Sequence, residues 1–107
     1  MANLFKNAAK AVTTSPTSIY TCPVATQAVI HAIYITNVDG TNQADATIEL
    51  YDSSQTTAFK VGMNLPLPIK STLVFEKPIN LEANDELRLS ANVNGDVEVV
   101  ASILEIT

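Results

Sequence analysis

The stretch AVIHAIYITNV, residues 28–38, is apolar in both phases and rich in β-branched and aromatic residues. A pleated strand suits such side chains. The double phase predicts a central strand covered on both faces, or one carrying a bulge. Around it the chain repeats one grammar to its end, a short apolar alternation and then a turn. VDGTN follows, where Asp39-Gly40 signals a turn because glycine takes positive φ cheaply.

ATIELYDSS alternates with Ile48 and Leu50 inward and Thr47, Glu49 and Tyr51 outward. DELRLSANV aims Leu87, Leu89 and Ala91 inward, and STLVFE puts Leu73 and Phe75 on one face. In VEVVASILEI, Val97, Val99, Ala101 and Ile103 share a phase while Leu104 and Ile106 take the other, so a bulge or a second packed surface is expected there. SIYTCP is a short strand stopped by Pro23. AFKVGMNLPLPIK reads as strand to Met63, then extended chain through Pro66 and Pro68. Seven or eight strands spaced by turns, with no interior helix, predict an all-β fold: a single antiparallel β-sandwich of jelly-roll or other Greek-key type. Strand order is left open by pattern alone.

The first seventeen residues differ. NLFKNAAKAV could make about two helical turns, marginal in water at that length, and TTSPT would break them. Residues 1–17 are therefore read as an N-terminal arm, ordered where it docks on its own domain or a neighbour, and residues 18–107 as the sandwich domain. Within the arm Leu4, Phe5, Lys6 and Asn7 are the candidate interaction residues. At 107 residues the folded surface should be roughly 5,800 Å² against about 16,500 Å² extended, enough burial for one core without staples. Charged residues are only 16% of the chain, below the usual quarter. Thr, Ser and Asn supply the polar surface, which suits dense packing beside copies of the same chain and equally an ordinary soluble β-domain.

Several chemistries find no support. Six basic residues are scattered among eleven acidic ones, for a net charge of -5, so no nucleic-acid partner is expected. No run approaches the roughly 20 apolar residues of a membrane span, and the N-terminus lacks a signal-peptide h-region, so no membrane partner is expected and synthesis in the cytoplasm without Sec export is. The three glycines are far apart, which excludes phosphate-cradling loops. Cys22 and His31 are each single; a dyad between them is conceivable, but a strand histidine half-buried on backbone and an inert buried thiol are the plainer readings. The residues thus predict no catalytic residues, no cofactor and no metal centre. Glu82, Asp85 and Glu86 crowd NLEANDELRLSA, yet a calcium loop needs a glycine and another spacing. The cluster reads as a turn between two strands, with surface calcium as the alternative.

MANLFKNAAKAV, TSIYTCPVATQAVIHAIYITNVDGT, ATIELYDSSQTTAFKVGMNLPLPIKSTLVFEKPINLEANDELRLSA and the closing ASILEIT together resemble a group of small β-sandwich virion proteins of tailed bacteriophages, especially those of aquatic hosts. The group's pattern is VYT-P-G-T into the first long strand, L-AGD-L at the late hairpin and S-LEI at the end. Val24-Ala25-Thr26 and Asn84 stand where the group carries turn glycines. The resemblance implies a non-enzymatic virion structural protein. Its favoured form is a capsid decoration or cement protein on the capsid exterior, a small cyclic homo-oligomer (trimer favoured) that contacts the major capsid protein or other virion proteins and stabilises capsomer contacts. A neck, tail or fibre-attachment component is the alternative. A carbohydrate-binding sandwich is a further one, weakened by the absence of Trp and by the three Tyr lying in strands.

Overall fold

The computed structural model describes residues 3–107, in which nine strands and no helix are formed. They are β1 (Asn3–Val12), β2 (Thr17–Thr21), β3 (Gln27–Asn37), β4 (Ala44–Asp52), β5 (Thr57–Leu67), β6 (Thr72–Phe75), β7 (Ile79–Leu81), β8 (Glu86–Ala91) and β9 (Val97–Ile106). Sheet A has the order β1-β9-β3-β6, with β7 continuing alongside β3 after β6; sheet B has the order β2-β8-β4-β5. Every pairing is antiparallel. Sequence neighbours mostly alternate between sheets, so the two are knitted together by crossovers. This is the antiparallel β-sandwich expected.

The core lies between the sheets. Ile30, Ile33 and Ile35 of β3 and Val97, Val99 and Ile103 of β9 meet Ile48 of β4 with Leu87 and Leu89 of β8, all fully buried. The alternation read in β4, β8 and β9 is the one that packs. The accessible surface is 5805 Å², matching the area scaling for a chain folded as a single unit.

Three expectations are revised. The strand count is nine, because residues 3–12 extend along β9 over ten paired positions instead of coiling. β9 offers a long free edge, and its main-chain groups are satisfied better by a strand than by a short solvated helix. Residues 1 and 2 of the predicted arm lie outside the described residues. β5 continues as strand to Leu67, with Pro66 tolerated because β5 is an edge. The double phase of β3 comes from a bulge between Ile30 and Ala32, which shifts the register against β9. His31 sits in that bulge and is exposed, not half-buried.

Candidate assembly surfaces

The acidic corner is a turn in which the Asp85 and Asp52 carboxylates are bonded within the chain. Asn84 takes φ +71°, a left-handed angle that Asn tolerates better than other non-glycine residues. Asp85 is buried. Its Oδ1 accepts from the Ser53 N–H at 3.0 Å and the Ser53 hydroxyl at 3.1 Å, and its Oδ2 from the Glu82 N–H at 2.9 Å. The Cys22 N–H donates to the Asp85 carbonyl at 2.9 Å, so three loops are tied at one knot. Carboxylate oxygens of Asp52, Glu82 and Asp85 approach within 4.8 Å of one another. Asp52 is likewise occupied: Ser54 and Gln55 donate to it at 2.6 to 3.1 Å. The Ser54 hydroxyl is the main reason that its carboxyl lies below the usual range. Glu86 belongs elsewhere, paired with Arg88 at 3.0 Å.

Cys22 and His31 share no hydrogen bond. The Cys22 thiol is buried on the Thr26 carbonyl at 3.3 Å. Burial first, and then Glu105 and Asp85, push it above its ordinary range, so it stays protonated at neutral pH.

Charges on the outer face of sheet B are paired within the chain, although Phe59 and Met63 of its edge strand β5 are also exposed. Lys60 of β5 pairs with the buried Glu49 of β4. Arg88 of β8 pairs with Glu86 and lies 4.1 Å over the ring of Tyr51, a cation–π contact. Tyr51 is therefore covered rather than presented.

The outer face of sheet A is apolar and open. Cross-strand partners share a face, so one row reads Ala9, Val100, Tyr34, Val74 across four strands. The next long row reads Phe5, Leu104, Val29, Asn80. Between them lie Asn7, Ser102 and Ala32. Tyr34, Val74 and Val100 are each more than two-fifths exposed, and Phe5 is 78% exposed. A further row reads Ala11, Glu98, Thr36, Thr72 and holds the one carboxylate of these paired rows; the exposed His31 of the bulge lies beside Ala32. Leu104 and Ile106, out of phase in the sequence, belong to this face; β9 itself carries no bulge.

β1 borders that face and contains the four predicted arm residues. It gives the core only Val12, with Ala8 partly buried. Leu4 is half-exposed and Phe5 fully outward beside Leu104. Asn7 is exposed. Lys6 turns to the other side and meets the buried Glu105 at 3.3 Å. The Tyr20 hydroxyl donates to the same carboxylate from sheet B. Burial, then that carboxylate, push the Tyr20 phenol up, so it remains a donor at neutral pH. Lys10 donates to the Ser18 carbonyl at 3.0 Å. Sequence reasoning missed the sheet A face because its residues come from four strands distant in the chain; the out-of-phase Leu104 and Ile106 were the available signal.

No family model matches the chain, and no curated protein does. Solved structures do. The chain is similar to a subunit from work on Bacillus endospore appendages that form disulfide-linked pili, with a TM-score of 0.59 and 14% identity over 99% of this chain and 87% of that one. It is similar to a chain of the T13 IBDV viral particle, with a TM-score of 0.58 and 7% identity over 96% of this chain and 30% of that one. It is also similar to a pentameric capsid protein from metagenomic phage sequences, with a TM-score of 0.51 and 20% identity over 91% of this chain and 59% of that one. The chain thus spans less than two thirds of both viral neighbours. At these identities what is shared is the fold, a β-sandwich that recurs among capsid and pilus subunits.

Proposed function

We propose that the protein is a non-enzymatic structural subunit of a bacteriophage virion, in its favoured form a decoration or cement protein. It would bind the outer shell as a small cyclic oligomer, a trimer by preference, and stabilise contacts between capsomers. The observation that carries this reading is β1, a ten-residue strand that invests almost nothing in the core and holds Leu4 and Phe5 out to solvent. Such a strand contributes little to its own domain beyond main-chain pairing and much to a surface. The strand order 1-9-3-6 over 2-8-4-5, which we read as a jelly roll, supports a shell component. So does the likeness to viral capsid chains. The segment 1–17 is then the contact arm, with Leu4, Phe5, Lys6 and Asn7 meeting a neighbouring virion subunit, whether a second copy of this chain, the major capsid protein or another virion protein. Many copies would turn a modest contact into a firm one by avidity.

Cryo-EM of purified particles tests this reading. Density for the chain spread over the outer shell is expected. A single ring at the neck or tail would favour the alternative adaptor role, and absence from the particle would overturn both. Replacing Leu4 and Phe5 with Ser should weaken particle binding while leaving the circular dichroism spectrum unchanged, since neither side chain is core.

A further inference from the structure

We infer that the outer face of sheet A is an interface with a second copy of this same chain. The inference deepens the reading of the protein as an assembly subunit and rests on it, but it concerns the isolated protein. Three observations support it.

Size comes first. Four strands at about 4.8 Å spacing and ten residues at about 3.4 Å rise give a projected face of roughly 650 Å². That face, polar positions such as Asn7, Ser102 and Asn80 included, approaches the ~800 Å² per partner of a stable complex.

Charge comes second. The chain carries a net -5, so copies repel in general, and a basic partner would be drawn to the carboxylates elsewhere. The paired rows of this face carry a single carboxylate, Glu98, toward one end, which makes it a face of low charge suited to another of low charge.

Shape comes third and selects the occupant. Let two copies meet face to face about a two-fold axis that crosses the strands at the Ser102 row. Each residue then lies over the row reflected through Ser102 on the same strand. Phe5 of one copy covers Ala9 of the other, and Val100 covers Leu104. Tyr34 covers Val29, because the same rows join them to Val100 and Leu104. The tallest exposed side chain is thus set over one of the smallest. The two Glu98 carboxylates fall at opposite ends, about 27 Å apart along the strand direction, well beyond the ~8 Å screening length. The face is complementary to itself.

Such a contact closes at two. A trimer of this chain would use another surface, and pairing would make it a hexamer. The test is the mass of the full chain in solution, by light scattering and sedimentation. The expected mass is an even multiple of 11.4 kDa. Val100→Glu should halve it, and Leu104→Lys should do the same, each with at least a hundredfold weaker self-association. Ser90→Glu on the sheet B face should not alter it. Mixing the Val100→Glu and Leu104→Lys chains should restore the paired mass, because the new charges face each other across the axis. A wild-type monomer at high concentration would overturn the inference, as would an odd-numbered oligomer or one indifferent to Val100→Glu. Loss of pairing without restoration on mixing would overturn the facing. A monomer whose face variants lose particle binding would assign the face to a shell protein instead. None of these results depends on where the particle carries the chain, so the proposed function can fail separately.

Discussion

The two outer faces of the sandwich resolve the same problem in opposite ways. Sheet B puts charge outward and then neutralises it within the chain: Lys60 on Glu49, Arg88 on Glu86 and on the Tyr51 ring. Sheet A puts Phe5, Tyr34, Val74 and Val100 outward with no cover. Both rest on one shared core, so the difference is not one of folding. A face satisfied by its own residues adds to the stability of the isolated chain. An uncovered apolar face adds nothing until something covers it. The polar groups of sheet B and its loops should therefore register in stability measurements, and the exposed residues of sheet A should not.

The largest effect is expected at the acidic corner that closes one end of sheet B. Asp85→Ala removes the acceptor for three donors from Ser53 and Glu82. Bonds to a charged acceptor are worth about 1.5–3 kcal/mol each, and shared anchoring makes their sum less than additive. Urea denaturation should show a loss of about 3 kcal/mol. A loss below about 1 kcal/mol would mean that the corner does not hold the loops, and the comparison would lose its satisfied side.

A smaller effect compares the faces directly. Lys60→Ala strands the buried Glu49 carboxylate. Removing one partner of a fully buried pair costs about 3–5 kcal/mol, but Lys60 is nearly half exposed and water compensates, so about 1 kcal/mol is expected. Val74→Thr on the open face should change monomer stability by less than about 0.5 kcal/mol. Equal losses at both positions would erase the distinction.

The smallest effect lies in the turns that join β3 to β4 and β8 to β9. Burial and the neighbouring Asp39 charge raise the Asp96 carboxyl. Burial also acts to raise Asp39, but the Thr41 and Asn42 N–H groups, each 3.1 Å away, outweigh it and hold that carboxyl down. The signs are opposite. Asp39 and Asp52 contribute stability above the unfolded value of about 3.9, lost as pH falls through their folded values. Asp96 opposes folding at neutral pH and is relieved as pH falls through its raised value. Asp96→Asn should therefore raise thermal stability slightly at pH 7 and remove the relief on mild acidification. An unchanged pH profile would show that the pair is not coupled.

The inner architecture was legible because burial enforces period two: Ile48 and Leu50, Leu87 to Ala91 and Val97 to Ile103 all occupy the predicted side. The turn positions were legible for a local reason. The stretch Val24-Ala25-Thr26 and Asn84 stand where the resembled group carries turn glycines, and Ala25 and Asn84 take positive φ, +55° and +71°. β1 was not legible. Its partner lies some ninety residues away, and Leu4, Phe5 and the alanines alternate too weakly to separate strand from helix. The open face was hidden for the related reason that its rows exist only once β1, β9, β3 and β6 are aligned. The carboxylate crowd in NLEANDELRLSA was rightly read as a turn, but Asp52 and Ser53, which complete it, come from another loop.

Hydroxyl-radical footprinting of Tyr34 and Tyr51 across a dilution series tests the central claim most directly. Tyr34 lies on the open face of sheet A and Tyr51 on the closed face of sheet B. The account predicts that Tyr34 becomes protected as concentration rises while Tyr51 labelling stays constant. Constant labelling of Tyr34, or equal protection of both rings, would contradict it.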